Sequence, residues 1–208
     1  MSSLKKFILI LTLSILSIIL LLFFTYKISF EPKAPVISIN SNLELDSKLL
    51  IKKFIPNDID LSLKGIKFNS DVSLNEEELT SVILNSLDKA TLSENNIQGI
   101  NTLIKGDQLF FYLNFEYKNI PLQAVLNFNA YAKDGNAILH YNYGKIGFIN
   151  IPTNYIKNII DENQILHLDN DNNLVISLYK DYGVYIDDAK FNNSSLNLKF
   201  HIDFKFFN

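Results

Sequence analysis

The sequence predicts an α+β protein: an N-terminal transmembrane helix followed by a long, curved antiparallel β-sheet packed on one principal helix. Three observations carry that prediction. Phe7 to Tyr26 form a 20-residue run without a charge, a capped stretch of helical period follows residue 73, and from residue 97 apolar residues recur at every second position. A helix of about 20 residues rises roughly 30 Å, the thickness of the bilayer hydrocarbon core. Period-two runs describe strands with one buried face.

The apolar run sets the organisation. Only Thr12, Ser14, Ser17 and Thr25 in it are polar. It is longer than the roughly 7–15 apolar residues of a cleaved signal and no small-residue cleavage pattern follows, so an uncleaved signal anchor is expected. Lys5 and Lys6 precede the run, whereas Lys27 and Lys33 follow it and Glu31 dilutes them. That weak bias, with the short stub, puts the N-terminus in the cytoplasm and the rest outside the cell membrane. The expected parts are a cytoplasmic stub 1–6, a transmembrane signal anchor 7–26, a linker 27–35 stiffened by Pro32 and Pro35, and an extracytoplasmic α+β domain 36–208.

Composition removes several function classes. The chain has no Cys, so disulfide frameworks, thiolate nucleophiles and Cys-ligated metals are excluded. All 19 basic residues are Lys, and the part after residue 30 carries 16 Lys against 22 Asp and Glu. A net charge of −6 outside the anchor argues against nucleic acid as a partner and against adhesion through a polybasic patch.

Each element follows from local pattern. In Ile59-Asp60-Leu61-Ser62-Leu63 the odd positions are apolar, and beyond Gly65 the phase moves to Ile66 and Phe68, which predicts a bulge at the glycine. Ser73 with Glu76 forms a capping-box signature, and Leu79, Val82, Ile83, Leu87 and Ala90 recur at helical spacing, which predicts a helix over 74–90. Glu76, Glu77 and Glu78 are read as a solvated first turn that suits the helix dipole.

Four strands follow in a meander. Leu109, Phe111, Leu113, Phe115 and Tyr117 share one face, as do Ile120, Leu122, Ala124, Leu126, Phe128 and Ala130, and then Ala137, Leu139, Tyr141 and Tyr143. Lys105-Gly106-Asp107 and Lys133-Asp134-Gly135-Asn136 are the turns between them. A short helix through Tyr155, Ile156, Ile159 and Ile160 is expected after Pro152. Leu174, Ile176 and Leu178, then Leu196 through Phe206 in strict alternation, complete the sheet.

The search for chemistry is nearly empty. His140, His167 and His201 fall in no catalytic motif; His201 and Asp203 would share a strand face and are the best acid–base pair. Asp169-Asn170-Asp171-Asn172-Asn173 begins like a calcium loop but has Leu174 and Lys180 where glycine and a bidentate glutamate are required, so a hairpin turn is expected. Asp187-Asp188 reads as a turn. Neither an enzyme, a metal nor a cofactor is expected.

What remains is apolar character on both faces of the strands. Phe110, Tyr112, Val125 and Tyr131 interrupt the polar positions opposite the core. With Leu79, Val82, Ile83 and Leu87 of the helix, they are candidates for an apolar ligand groove.

The stretch Pro121 to Asn136, followed by Tyr143-Gly144-Lys145-Ile146-Gly147-Phe148-Ile149-Asn150-Ile151-Pro152, resembles the YpmS-like (DUF2140) family of single-span extracytoplasmic proteins of low-G+C Gram-positive bacteria. The helix before the meander and Asn85 within it are similar to that family; residues 36–72 are longer than its pattern. The resemblance implies topology and fold, like half of a tubular lipid-binding module, and brings no catalytic residues. The function expected is a non-enzymatic, membrane-anchored cell-envelope protein holding a lipid or lipid-linked precursor. The alternative is a scaffold for another envelope protein, with an envelope hydrolase as a distant third.

Overall fold

The computed structural model describes residues 3–41, 52–62, 65–87, 89–153, 166–169, 171, 173–178 and 183–206. The helix expected after Pro152 lies outside the described residues. The apolar run is helical over α1 (Ser3–Ser29), and none of its span-length window is buried within the protein. By length and composition α1 can cross a membrane.

Among the described residues there are two antiparallel sheets where one was expected. Strands β1 (Ile37–Ser38), β4 (Ile97–Lys105), β5 (Gln108–Tyr117), β6 (Ile120–Lys133), β7 (Asn136–Ile146), β10 (Asn173–Ile176) and β9 (Leu166–Leu168) lie in that order, and β8 (Ile149–Asn150) also pairs with β7. The meander β4 to β7 is as read from the sequence. A second sheet has the order β11 (Val184–Asn192), β12 (Ser195–Lys205), β3 (Gly65–Asn75), β2 (Asp58–Ser62).

Turn chemistry explains the tight corners. Asp134 and Gly135 both have positive φ, 52° and 76°, as the primed turn of a two-residue hairpin requires. Lys118-Asn119 and Asn193-Ser194 adopt the same left-handed pair without any glycine. Ser62 pairs with Gly65, so the apolar phase change there reflects a hairpin and not a bulge: Leu61 faces Ile66 and Ile59 faces Phe68 across two strands.

Helix α2 (Glu76–Ser86) is shorter than expected, and α3 (Lys89–Glu94) follows separately. Leu74 belongs to β3, and the capping box is Asn75 with Glu78, two residues beyond Ser73 with Glu76. Asn75 Oδ1 accepts from the Glu78 N–H while Glu78 Oε2 accepts from the Asn75 N–H, both at 2.9 Å. Burial works to raise the Glu78 pKa, but the Lys53 ammonium and the Asn75 N–H outweigh it and hold the carboxyl below its usual 4.5. The interaction therefore stabilises the fold above that pH and is lost as the pH falls through the depressed value. Asn75→Ala is expected to cost about 1 kcal/mol in denaturant unfolding; an unchanged midpoint would show that the cap is energetically idle.

The core sits where α2 meets both sheets. Leu79 packs with Ile104, Leu109 and Phe191, and Ile83 bridges this cluster to a second one formed by Ile39, Leu84, Leu92 and Ile100. A third, of Ala137, Ile186 and Ala189, joins the β6–β7 corner to β11. A polar clasp adds register: the buried Thr80 and Thr102 hydroxyls are 2.8 Å apart, and Glu76 Oε1 accepts from the Ile104 N–H at 2.6 Å.

Candidate functional site

The groove candidates separate onto opposite faces of the large sheet. Leu79 is buried in the core, Ile83 packs against it, Val82 is half-buried, and Leu87 is an exposed residue beyond the end of α2. The space between α2 and the inner sheet face is filled by their neighbours. Phe110, Tyr112 and Val125 lie on the outer face, half-buried, with the exposed Tyr131 further along β6.

Pairing assembles the outer-face residues into rows. Leu103, Phe110, Asn127 and Tyr143 stand side by side across β4 to β7, and Asn101, Tyr112, Val125 and Lys145 form the next row. Tyr143 was expected on the core face with Tyr141. An irregularity in the β6–β7 register, opposite Asn127 and Phe128, leaves Asn142 as an extra residue and inverts the side-chain alternation, so Tyr143 turns outward. Burial, and secondarily the neighbouring Tyr143, push the Tyr112 phenol above its usual value of 10.0, so it stays neutral. Lys105 Nζ lies 5.6 Å from the Phe110 ring centre and Lys145 Nζ 5.3 Å from that of Tyr143, within cation–π range.

Beside the aromatic patch runs an amide cluster that sequence reasoning missed. Asn127 is completely buried, and its Nδ2 donates to Leu109 O at 3.2 Å. Asn142 Nδ2 donates to Asn127 Oδ1 at 2.8 Å and to Asn129 Oδ1 at 2.6 Å. In the adjoining row, His140 Nδ1 is 2.6 Å from Asn173 Oδ1, and Asn173 Nδ2 donates to Asp169 Oδ2 at 2.7 Å. Asp169 also accepts from the Asp171 and Asn173 N–H groups, which closes the β9–β10 hairpin expected there. The only sequence signal was asparagine at alternate positions of an otherwise apolar strand.

His201 makes the expected pair with Asp203 and a shorter contact with Asp187. Its Nδ1 is 2.7 Å from Asp187 Oδ2, while Asp203 Oδ2 stands 3.8 Å from Nε2 and the ring stacks on Tyr185. Asp187 and Asp188 are not a turn; they lie in β11 at a register shift that sends Asp187 toward His201. Among the described residues, no group of three or more His, Cys, Asp or Glu could hold a metal ion.

The sheet end nearest α1 is apolar and knitted to the helix. Tyr26 Oη donates to Pro121 O at 2.9 Å, and the Phe30 and Phe148 rings meet edge to face at 4.9 Å. The linker is strapped to the sheet: Gln123 Oε1 accepts from the Lys33 and Ala34 N–H groups, and Gln123 Nε2 donates to Ala34 O and Asn114 Oδ1. Around this joint Tyr117, Ile120, Phe148 and Ile149 are exposed. No family model, curated protein or solved structure matches the chain.

Proposed function

We propose that this is a non-enzymatic, membrane-anchored protein of the cell envelope whose extracytoplasmic domain holds an amphiphile, a lipid or a lipid-linked precursor, on the outer face of its large sheet. The observation that carries the reading is the Phe110, Tyr112, Val125 and Tyr143 patch. It lies on strands whose inner face is already filled by core, so its apolar area serves no packing role for α2 or the second sheet. An acyl or prenyl chain would lie on these rings, with a polar or anionic head beside Lys105, Lys145 and the amide rows.

Native mass spectrometry of the full chain extracted in mild detergent tests this. The wild type is expected to carry an adduct of lipid mass that Val125→Asp loses while keeping its far-ultraviolet circular dichroism. A bare wild-type protein, or an adduct indifferent to the aspartate, refutes the reading.

One observation favours the scaffold alternative. Strand β2 is an edge strand exposed along its whole length, with Ile59 and Leu61 among the exposed apolar residues. Such an edge can accept a strand from a partner protein. A photo-cross-linking residue at Leu61 that captures one discrete partner in cells supports that role; labelling no stronger than at exposed Lys118 counts against it.

A further inference from the structure

We propose that the rim of Tyr117, Ile120, Phe148 and Ile149 is seated in the headgroup layer of the membrane that α1 crosses, so that the domain rests on lipid at a fixed height. The occupant follows from depth. The apolar run ends at Tyr26; at about 1.5 Å per residue, its 20 residues match a hydrocarbon core of roughly 30 Å. Tyr26 therefore marks the boundary between hydrocarbon and headgroups, and groups bonded to it share that level. Its hydroxyl is bonded to Pro121 O, next to Ile120, and Phe148 packs on Phe30 one helical turn above.

The rim has the composition this layer favours. Tyr117, Ile120, Phe148 and Ile149 are 59%, 48%, 66% and 54% exposed, large apolar groups with no covering element among the described residues. Lys118 Nζ lies 5.3 Å from the Tyr117 ring centre, and Lys27 and Lys33 flank the helix end. Aromatic rings with lysines at their edges sit stably where one side is acyl chain and the other is water and phosphate. A domain of net charge −6 would be repelled from an anionic surface as a whole, so the contact has to be apolar and local.

The inference rests on α1 spanning a membrane and not on any bound amphiphile. The chain has no Trp, so one introduced indole reports alone. Phe148→Trp, Ile120→Trp and, as a distant control, Leu61→Trp, whose parent side chain is 77% exposed, are made in the full chain and reconstituted in phosphatidylcholine–phosphatidylglycerol nanodiscs. Both rim variants are expected to emit to the blue of Leu61→Trp, to be quenched severalfold more by lipid brominated near the headgroup, and to be severalfold less accessible to iodide. Rim indoles as open to iodide as Leu61→Trp and untouched by brominated lipid would overturn the proposal. Protein released from membranes by alkaline carbonate would instead overturn the spanning helix on which it depends. Rim indoles shielded from iodide yet unquenched by lipid would also overturn it, and would point to a protein cover.

Discussion

Phe191→Ala is expected to destabilise the domain by about 3–5 kcal/mol, the cost of removing a large buried aromatic ring and leaving a void. Phe191 projects from β11 into the cluster of Leu79, Ile104 and Leu109, with Ile83, Phe128, Ala130, Leu139 and Leu196 around it. Those neighbours come from α2, from four strands of the large sheet and from β12 of the second sheet. No single element can collapse into the void without losing its own strand ladder or helix contact. Denaturant unfolding of the full chain in detergent micelles, followed by circular dichroism, measures the loss. Ile59→Ala, on the exposed edge strand, is expected to change stability by no more than about 0.5 kcal/mol. Equal effects for the two substitutions would mean that the sheets do not share one core.

Gly147→Ala is expected to open the joint between α1 and the domain. The glycine has φ +60°, a conformation that costs an L side chain about 1–2 kcal/mol. Its added Cβ would also stand 2.7 Å from Ser29 O and 2.8 Å from the Phe30 ring, and the Ser29 carbonyl is backbone that cannot swing aside. The strain is relieved by parting the β7–β8 turn from the end of α1, so amide exchange and protease cutting across residues 30–36 should rise while the cores stay protected. Gly106→Ala is the matched control: its φ is +64° with nothing within 4 Å of the new Cβ. It shares the backbone strain without the collision and should leave residues 30–36 protected. Identical exchange in both variants would show that the joint is not held at Gly147.

The parts of this fold that were legible in the sequence are those set by short-range pattern. The apolar run, the Asp134-Gly135 hairpin and the β4 to β7 meander each need only neighbouring residues to be recognised. Three features were hidden because they depend on the register in which one strand pairs with the next. The extra residue Asn142 inverts the face of Tyr143, and it shows only once β6 lies beside β7. The shift at Asp187 breaks the alternation of β11, which therefore read as a turn at Asp187-Asp188. The antiparallel pairing of Ser62 with Gly65 looked like a bulge because both produce the same phase change in one dimension. Lys118-Asn119 and Asn193-Ser194 carry left-handed turns without glycine, each closing a long antiparallel ladder.

The groove residues illustrate the same limit. Leu79 and Val125 were grouped because both are apolar, but apolarity does not say on which side of a sheet a residue will stand. Once strand order is known, Leu79 belongs to the packing of the core, whereas Val125, Tyr112 and Phe110 form a surface that the core does not use.

The Gln123 strap gives the anchor a rotational meaning as well as a vertical one. Three hydrogen bonds of one amide hold the segment just after α1, a fourth ties that amide to Asn114 of β5, and Tyr26 is bonded to the same sheet end. These bonds oppose swivelling of the helix beneath the domain. Each residue inserted into the lower span would turn the helix below it by about 100° and add about 1.5 Å, with the domain held still above. With α1 spanning a bilayer, as proposed, the azimuth of the sheet is geared to one stripe of the helix, and any neighbour that grips this stripe would also choose which face of the domain it meets.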